Sequence, residues 1–232
     1  MPHPRLVWLF DIDGTLLLTD GAAREAFSNA LRACLDLEVD LSDVAFAGRT
    51  DPLILTDILR KHDRELRDGE RERFWEAVCD AMKELLVPGR GRLLPGVTEL
   101  LQAIALEPQW VAALLTGNTT PMARLKLAHF GLQHRFAFGA FGEEAVDRDA
   151  LARVAVARAL KATGVPPDRC VIVGDTELDI QCARAAGARV VAVATGVRSR
   201  NALAKRHPDL LLDDLSEPHA LLDWARSVAA GN

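Results

Sequence analysis

The chain has 232 residues, with 28 basic and 33 acidic side chains and a formal net charge of −5. Hydrophobic residues make up 49% of it, enough to bury a core, which excludes a disordered chain. The mild acidic excess gives no support to a nucleic-acid or membrane-surface partner, because either would favour a basic face.

The first apolar run is Leu6–Phe10, which leads into Asp11. Preceded only by Met-Pro-His-Pro-Arg, it reads as neither a signal peptide nor a membrane span, so a cytoplasmic protein is expected. Residues 19–90 contain no convincing strand. Segments 21–35, 51–62 and 64–86 read as helices, with Asp51 as an N-cap and Pro52 at the first helical position. Their apolar residues Phe27, Leu31, Phe74, Trp75 and Val78 read as the core of a helical bundle rather than a substrate pocket. Pro88-Gly89-Arg90-Gly91 reads as a linker.

Beyond the linker, strands are expected at 110–115, 170–173 and 190–194. They lead into Thr116-Gly117-Asn118, Gly174-Asp175 and Thr195-Gly196. Helices are expected at 97–105, 121–130, 149–163 and 177–186, the last three stopped by Gly131, Gly164 and Gly187. Continuous apolar strands alternating with helices specify an α/β fold, a doubly wound, Rossmann-like parallel sheet with helices on both faces. The economical division is an α/β core of residues 1–18 and 91–232 with an inserted all-helical cap at 19–90. Cys34, Cys79, Cys170 and Cys182 are scattered without a CxxC pair and read as reduced thiols. The histidines show no zinc-ligand spacing.

Ligands of open α/β sheets bind beyond the carboxyl ends of the strands. Asp11-Ile12-Asp13-Gly14-Thr15 follows the first strand. Two carboxylates at that spacing lie on one side of an extended chain and can divide labour, one as nucleophile and one as acid and base. Gly14 permits a tight turn. Asp175 and Asp179 are four apart, which on one helical turn would bring them to one face. Clustered carboxylates repel unless a cation intervenes, and hard oxygen ligands suit Mg²⁺. Alone, a DxD after a strand reads as a turn, and a GDxxxD is weak. Together, in this order, with Thr116 between them, they point to a functional site.

These motifs resemble those of the haloacid dehalogenase-like hydrolases. The DxDGT motif stands at 11–15, a hydroxyl residue at Thr116, and the GDTxxD pattern at 174–179. The context around Asp179-Ile180, Ala183 and Ala186-Gly187 is similar to the phosphoglycolate phosphatase and β-phosphoglucomutase branch. That branch carries a helical cap inserted after the first motif. The family's further basic residue, a Lys usually followed by Pro, has no match here. Arg148, 32 residues after Thr116, is the candidate. Lys126 reads as a solvated residue in the middle of a helix. The competing reading of Arg148 is a surface ion pair with Asp147 or Asp149.

The resemblance implies Mg²⁺-dependent phosphoryl transfer from a small phosphorylated metabolite through an aspartyl-phosphate. Asp11 would be the nucleophile and Asp13 the acid and base. Thr116 and Arg148 would complete the catalytic set, with Gly117 and Asn118 beside them toward substrate. Mg²⁺ would be held by Asp11, the backbone carbonyl of Asp13 and Asp175, with Asp179 supporting that set. In Gly48-Arg49-Thr50, Arg49 is a candidate reader of the leaving group, and a helix-capping turn with a solvated Arg is the competing reading. A phosphomutase would need cap groups for a second phosphate. A dehalogenase would not need Asp13, and a non-catalytic binding module would not need the carboxylate cluster. Oligomeric state is not legible in the sequence.

Overall fold

The computed structural model describes residues 6–230, so the opening Met-Pro-His-Pro-Arg lies outside the described residues. Its centre is a six-stranded parallel sheet. In chain order the relevant strands are β1 (Leu6–Phe10), β4 (Trp110–Leu115), β5 (Gly139–Ala140), β6 (Cys170–Gly174), β7 (Arg189–Val193) and β8 (Leu210–Leu212). The remaining two, β2 (Leu17–Leu18) and β3 (Arg92–Leu93), form a short antiparallel ladder of their own.

Every residue of β1 is fully buried. The strand's period of two divides it between two cores. Leu6, Trp8 and Phe10 pack with apolar residues of α4 (Val97–Leu106), α5 (Thr120–His129) and α9 (Pro218–Ala230). Val7 and Leu9 pack with α6 (Arg148–Thr163) and α7 (Glu177–Ala186). This is the doubly wound arrangement expected from the uninterrupted apolar strands.

The sheet order is β5-β4-β1-β6-β7-β8. The chain leaves β1 to one side for β4 and later crosses to the other side for β6, so the switch point lies at β1. A crevice opens there, beyond the carboxyl ends of the strands. In register, Phe10 pairs with both Leu114 and Val173, which brings the loops starting at Asp11, Thr116 and Asp175 together.

A third core belongs to α1 (Ala22–Leu35), α2 (Asp51–Lys61) and α3 (Glu70–Leu85). Phe27, Leu31, Phe74 and Val78 are buried in it, as expected, and Trp75 is half-buried against Phe27 and Phe74. Met122 of α5 joins this core from the other side of the seam.

The structure differs from the sequence reading in four places. The helix expected over 64–86 begins only at Glu70, after Gly69 in the left-handed region at φ 74°. The polar segment before it is tied down instead, because Glu70 accepts from Arg64 and from the backbone N–H of Arg67. β2 and β3 lie where no strand was expected, and they join the two ends of the helical insertion. Thr50 rather than Asp51 caps α2, accepting from the Leu53 N–H at 3.4 Å. β5 and β8 extend the sheet beyond the four strands expected, and two further helices, α8 (Arg200–Ala204) and α9, follow β7.

Candidate active site

Residues from all three central strand ends line one cavity of about 380 Å³, with cap residues opposite. Asp11, Asp13, Asp175, Arg148, Gly117, Asn118 and Arg49 all border it.

Asp11 follows β1, and its backbone N–H continues the ladder to the Val173 carbonyl at 3.0 Å. Its carboxylate is buried and lies 3.3 Å from the Arg148 guanidinium. One oxygen each of Asp11, Asp175 and Asp179 fall within 4.8 Å of one another. Burial, reinforced by the charges of Asp179 and Asp13 and opposed by Arg148, pushes the Asp11 carboxyl up to about 6. Asp175 rises well above its ordinary value for the same first reason, burial, with Asp179 and Asp11 adding repulsion.

Asp175 is held between two glycines. A Cβ at Gly14 would meet its carboxylate at 2.5 Å, and a Cβ at Gly196 would meet it at 1.6 Å. Gly14 also needs its φ of +82°, which L side chains resist. Thr195 donates to the Gly14 carbonyl at 2.6 Å, which pins this turn to the end of β7.

Asp179 is wholly buried. One oxygen pairs with Arg148. The other accepts from the Thr176 N–H at 3.0 Å and its hydroxyl at 2.6 Å, which makes a capping box at the start of α7. Asp175 therefore precedes the N-cap, and the two carboxylates meet across the cap rather than along one helical turn. With both oxygens committed to protein, Asp179 orients Arg148 and the loop.

Arg148 is buried, at 5% exposure, so the surface ion-pair reading is corrected. Asp147 instead caps α6 through the Ala150 N–H, and Asp149 accepts from Gln181. Burial alone would lower Arg148, but Asp11 and Asp179 hold it above its ordinary value.

Asp13 belongs to a different constellation. Both its oxygens accept from Lys126 Nζ, at 2.6 and 2.8 Å, and one also accepts from Asn118 Nδ2 at 2.7 Å. Asn118 spans the group, donating to Thr116 Oγ1 at 2.8 Å and accepting from Lys126 at 2.5 Å. The Asp13 carboxylate is not part of the trio formed by the other three. Lys126 is only 2% exposed, against its reading as a solvated residue. The signal was present in α5: Met122, Ala123 and Leu127 are buried, and Lys126 lies within their stripe. The DxD pair is therefore met by two basic residues, one at each aspartate.

Gly48-Arg49-Thr50 packs directly on the core. A Cβ at Gly117 would meet the Arg49 carbonyl at 2.0 Å, and Gly117 itself accepts from the Asp51 N–H at 2.8 Å. The Asp51 carboxylate accepts from the Thr119 N–H at 2.9 Å, and burial pushes it up to about 7. The Arg49 guanidinium pairs with Asp57.

A model of the haloacid dehalogenase-like hydrolases matches residues 7–187. The chain belongs to that family. Phosphoglycolate phosphatase of Pseudomonas savastanoi pv. phaseolicola is 28% identical over 222 residues, covering 91% of this chain and 77% of that protein. Protein CbbY of Rhodobacter capsulatus is 30% identical over 190 residues, covering 79% of this chain and 82% of that protein. Such relatives put this hydrolase among the family's phosphatases. The crystal structure of CbbY from Rhodobacter sphaeroides in complex with phosphate shares the fold, with a TM-score of 0.73, 24% identity, and 94% and 98% of the two chains covered. β-Phosphoglucomutase from Clostridium difficile does so at a TM-score of 0.72 and 17% identity, over 97% of each chain. Among the described residues, no helix is long and apolar enough to cross a membrane.

Proposed function

We propose that this hydrolase is a Mg²⁺-dependent phosphatase that acts on a small phosphorylated metabolite through an aspartyl-phosphate at Asp11. The observation that carries the proposal is the division of the DxD pair. Asp11 is buried against Arg148 beside Asp175, whereas Asp13 is held by Lys126 and Asn118.

The donor set suits Mg²⁺. Its oxygens are hard, burial and mutual repulsion raise Asp11 and Asp175, and the glycine cradle leaves room that a Cβ would fill. Asp11, Asp175 and the Asp13 carbonyl would hold the ion, with Asp179 behind them. Bound there, Mg²⁺ supplies positive charge against the phosphoryl oxygens.

An Asp11 oxygen attacks phosphorus, and the bond from phosphorus to the leaving oxygen breaks. Asp13 gives that oxygen a proton. In the second half, Asp13 takes a proton from water as the water oxygen attacks phosphorus, which releases phosphate and restores Asp11. Lys126 and Asn118 hold the Asp13 carboxylate in place for both transfers. Thr116 Oγ1 already accepts from Asn118, so its own hydrogen is free for a phosphoryl oxygen. Arg148 balances charge on Asp11 and on the phosphate, and Gly117 and Asn118 border its path.

In this reading residues 19–90 act as the cap that excludes water. The backbone is left-handed at Asp20, Gly89 and Gly91, near the two crossings that would serve as hinges. Four free cysteines fit a reducing, cytoplasmic setting. Phosphoglycolate is the first substrate to try, because relatives carry that name.

The test is phosphate release from a panel of phosphorylated metabolites with and without Mg²⁺. Release that depends on Mg²⁺ is expected. An isomerised product without net release would replace hydrolysis with mutase chemistry, and no turnover of any panel member would remove the phosphatase reading.

A further inference from the structure

Five cationic side chains line the cavity: Arg24, Arg49, Lys126, Arg148 and Arg198. Four of them are already matched to carboxylates. Arg49 pairs with Asp57, Lys126 with Asp13, Arg148 with Asp11 and Asp179, and Arg198 with Glu177 at 2.7 Å. Arg24 forms no ion pair among the described residues, although its charge helps to hold the exposed Asp40 carboxyl below its ordinary value.

Arg24 is nevertheless held in place. Its guanidinium carbon lies 4.4 Å from the centre of the Phe46 ring, and one terminal nitrogen donates to the Val44 carbonyl at 3.1 Å. Phe46 is itself fixed edge-on against Phe27 of the cap core. The guanidinium is thus oriented by neutral groups, outside any ion pair. The cavity that Arg24 lines also has apolar residues on its wall, Ala23, Ala45, Ala47, Ile54 and Val197, beside the paired charges of the site. A substrate group that reaches Arg24 finds a cation not held in an ion pair.

We propose that Arg24 is a specificity residue, which binds a second anionic group, a carboxylate, on the leaving-group side of the phosphomonoester substrate. The proposal rests on the phosphatase reading and narrows it to acidic leaving groups. A carboxylate is favoured over a second phosphate because a single guanidinium, with one nitrogen committed to Val44, matches one negative charge rather than nearly two.

The test compares phosphoglycolate with ethyl phosphate, its counterpart without the carboxylate, and with ethylene glycol bisphosphate, using wild type, Arg24→Gln and Arg24→Lys. In wild type, phosphoglycolate should exceed both others in kcat/KM. Arg24→Gln should lower the ratio of phosphoglycolate to ethyl phosphate by about ten- to a hundredfold, mainly through KM, the worth of one charge-assisted hydrogen bond. Arg24→Lys should restore part of that ratio. A ratio that does not change, or two substrates that fall together, would overturn the role of Arg24 and leave the phosphatase standing. Preference for the bisphosphate, lost in Arg24→Gln, would overturn the carboxylate assignment. No release from any of them, nor from p-nitrophenyl phosphate, would overturn both readings.

Discussion

The two aspartates of the DxD pair are two residues apart, yet they sit in opposite electrostatic surroundings. Around Asp11, three buried carboxylates lie together with a single guanidinium, which pairs with two of them, so the cluster when ionised has more negative than positive charge. Around Asp13, one carboxylate meets one ammonium and an amide, and its side chain is 40% exposed. Charge balance, not sequence position, separates the two aspartates. On the unbalanced side, ionised Asp11 is costly to keep in the folded protein. On the balanced side, Asp13 is hydrogen-bonded to Lys126 and Asn118 and reaches water.

The sharpest way to break this contrast is at the proposed nucleophile. Asp11→Asn should lower phosphate release at least about 10⁴-fold with the fold intact by circular dichroism. Turnover close to wild type would end its special standing.

Next in size is Arg148→Ala, which strands buried carboxylates. It should lose stability by about 3–5 kcal/mol in urea unfolding and lose activity as well. Unfolding at the wild-type midpoint would show that the buried cluster does not depend on its guanidinium.

Lys126→Ala should be milder for the fold, about 1 kcal/mol, because Asp13 can reach water. It should still slow turnover by about 10²-fold through the misplaced acid and base. A loss of activity greater than that of Arg148→Ala would transfer the family's basic role to α5.

The smallest effect concerns pH and metal. Folded Asp11 titrates near 6, against an ordinary 3.8, so the folded chain binds more protons between those values. Without metal, this contribution to stability is fullest below about pH 4 and is lost as pH rises through 6. A cation on the ionised cluster reverses that loss. Mg²⁺ should therefore raise the Tm more at about pH 7.5 than at about pH 5. An equal or opposite shift would detach the cluster from metal binding.

Much of this was legible in the sequence, because it depends on local pattern. The apolar runs specified the central strands, and the acidic or hydroxyl residues after them marked the crevice. Contacts between distant segments were not legible. Lys126 looks solvated until α5 is set against Asp13, 113 residues away. Gly196 looks like an ordinary turn until Asp175 occupies the space its side chain would need. Asp51 reads as a helix cap because α2 begins there, yet its carboxylate serves Thr119 across the seam. The two-residue strands and the short β8 lack the length that makes periodicity readable.

The most direct test traps the intermediate itself. Enzyme quenched during turnover with phosphoglycolate or p-nitrophenyl phosphate is reduced with borohydride, which converts an acyl phosphate to an alcohol, and is then digested for mass spectrometry. The account predicts homoserine at position 11 and nowhere else. Unmodified Asp11 alongside homoserine at Asp13 or Asp175 would contradict it.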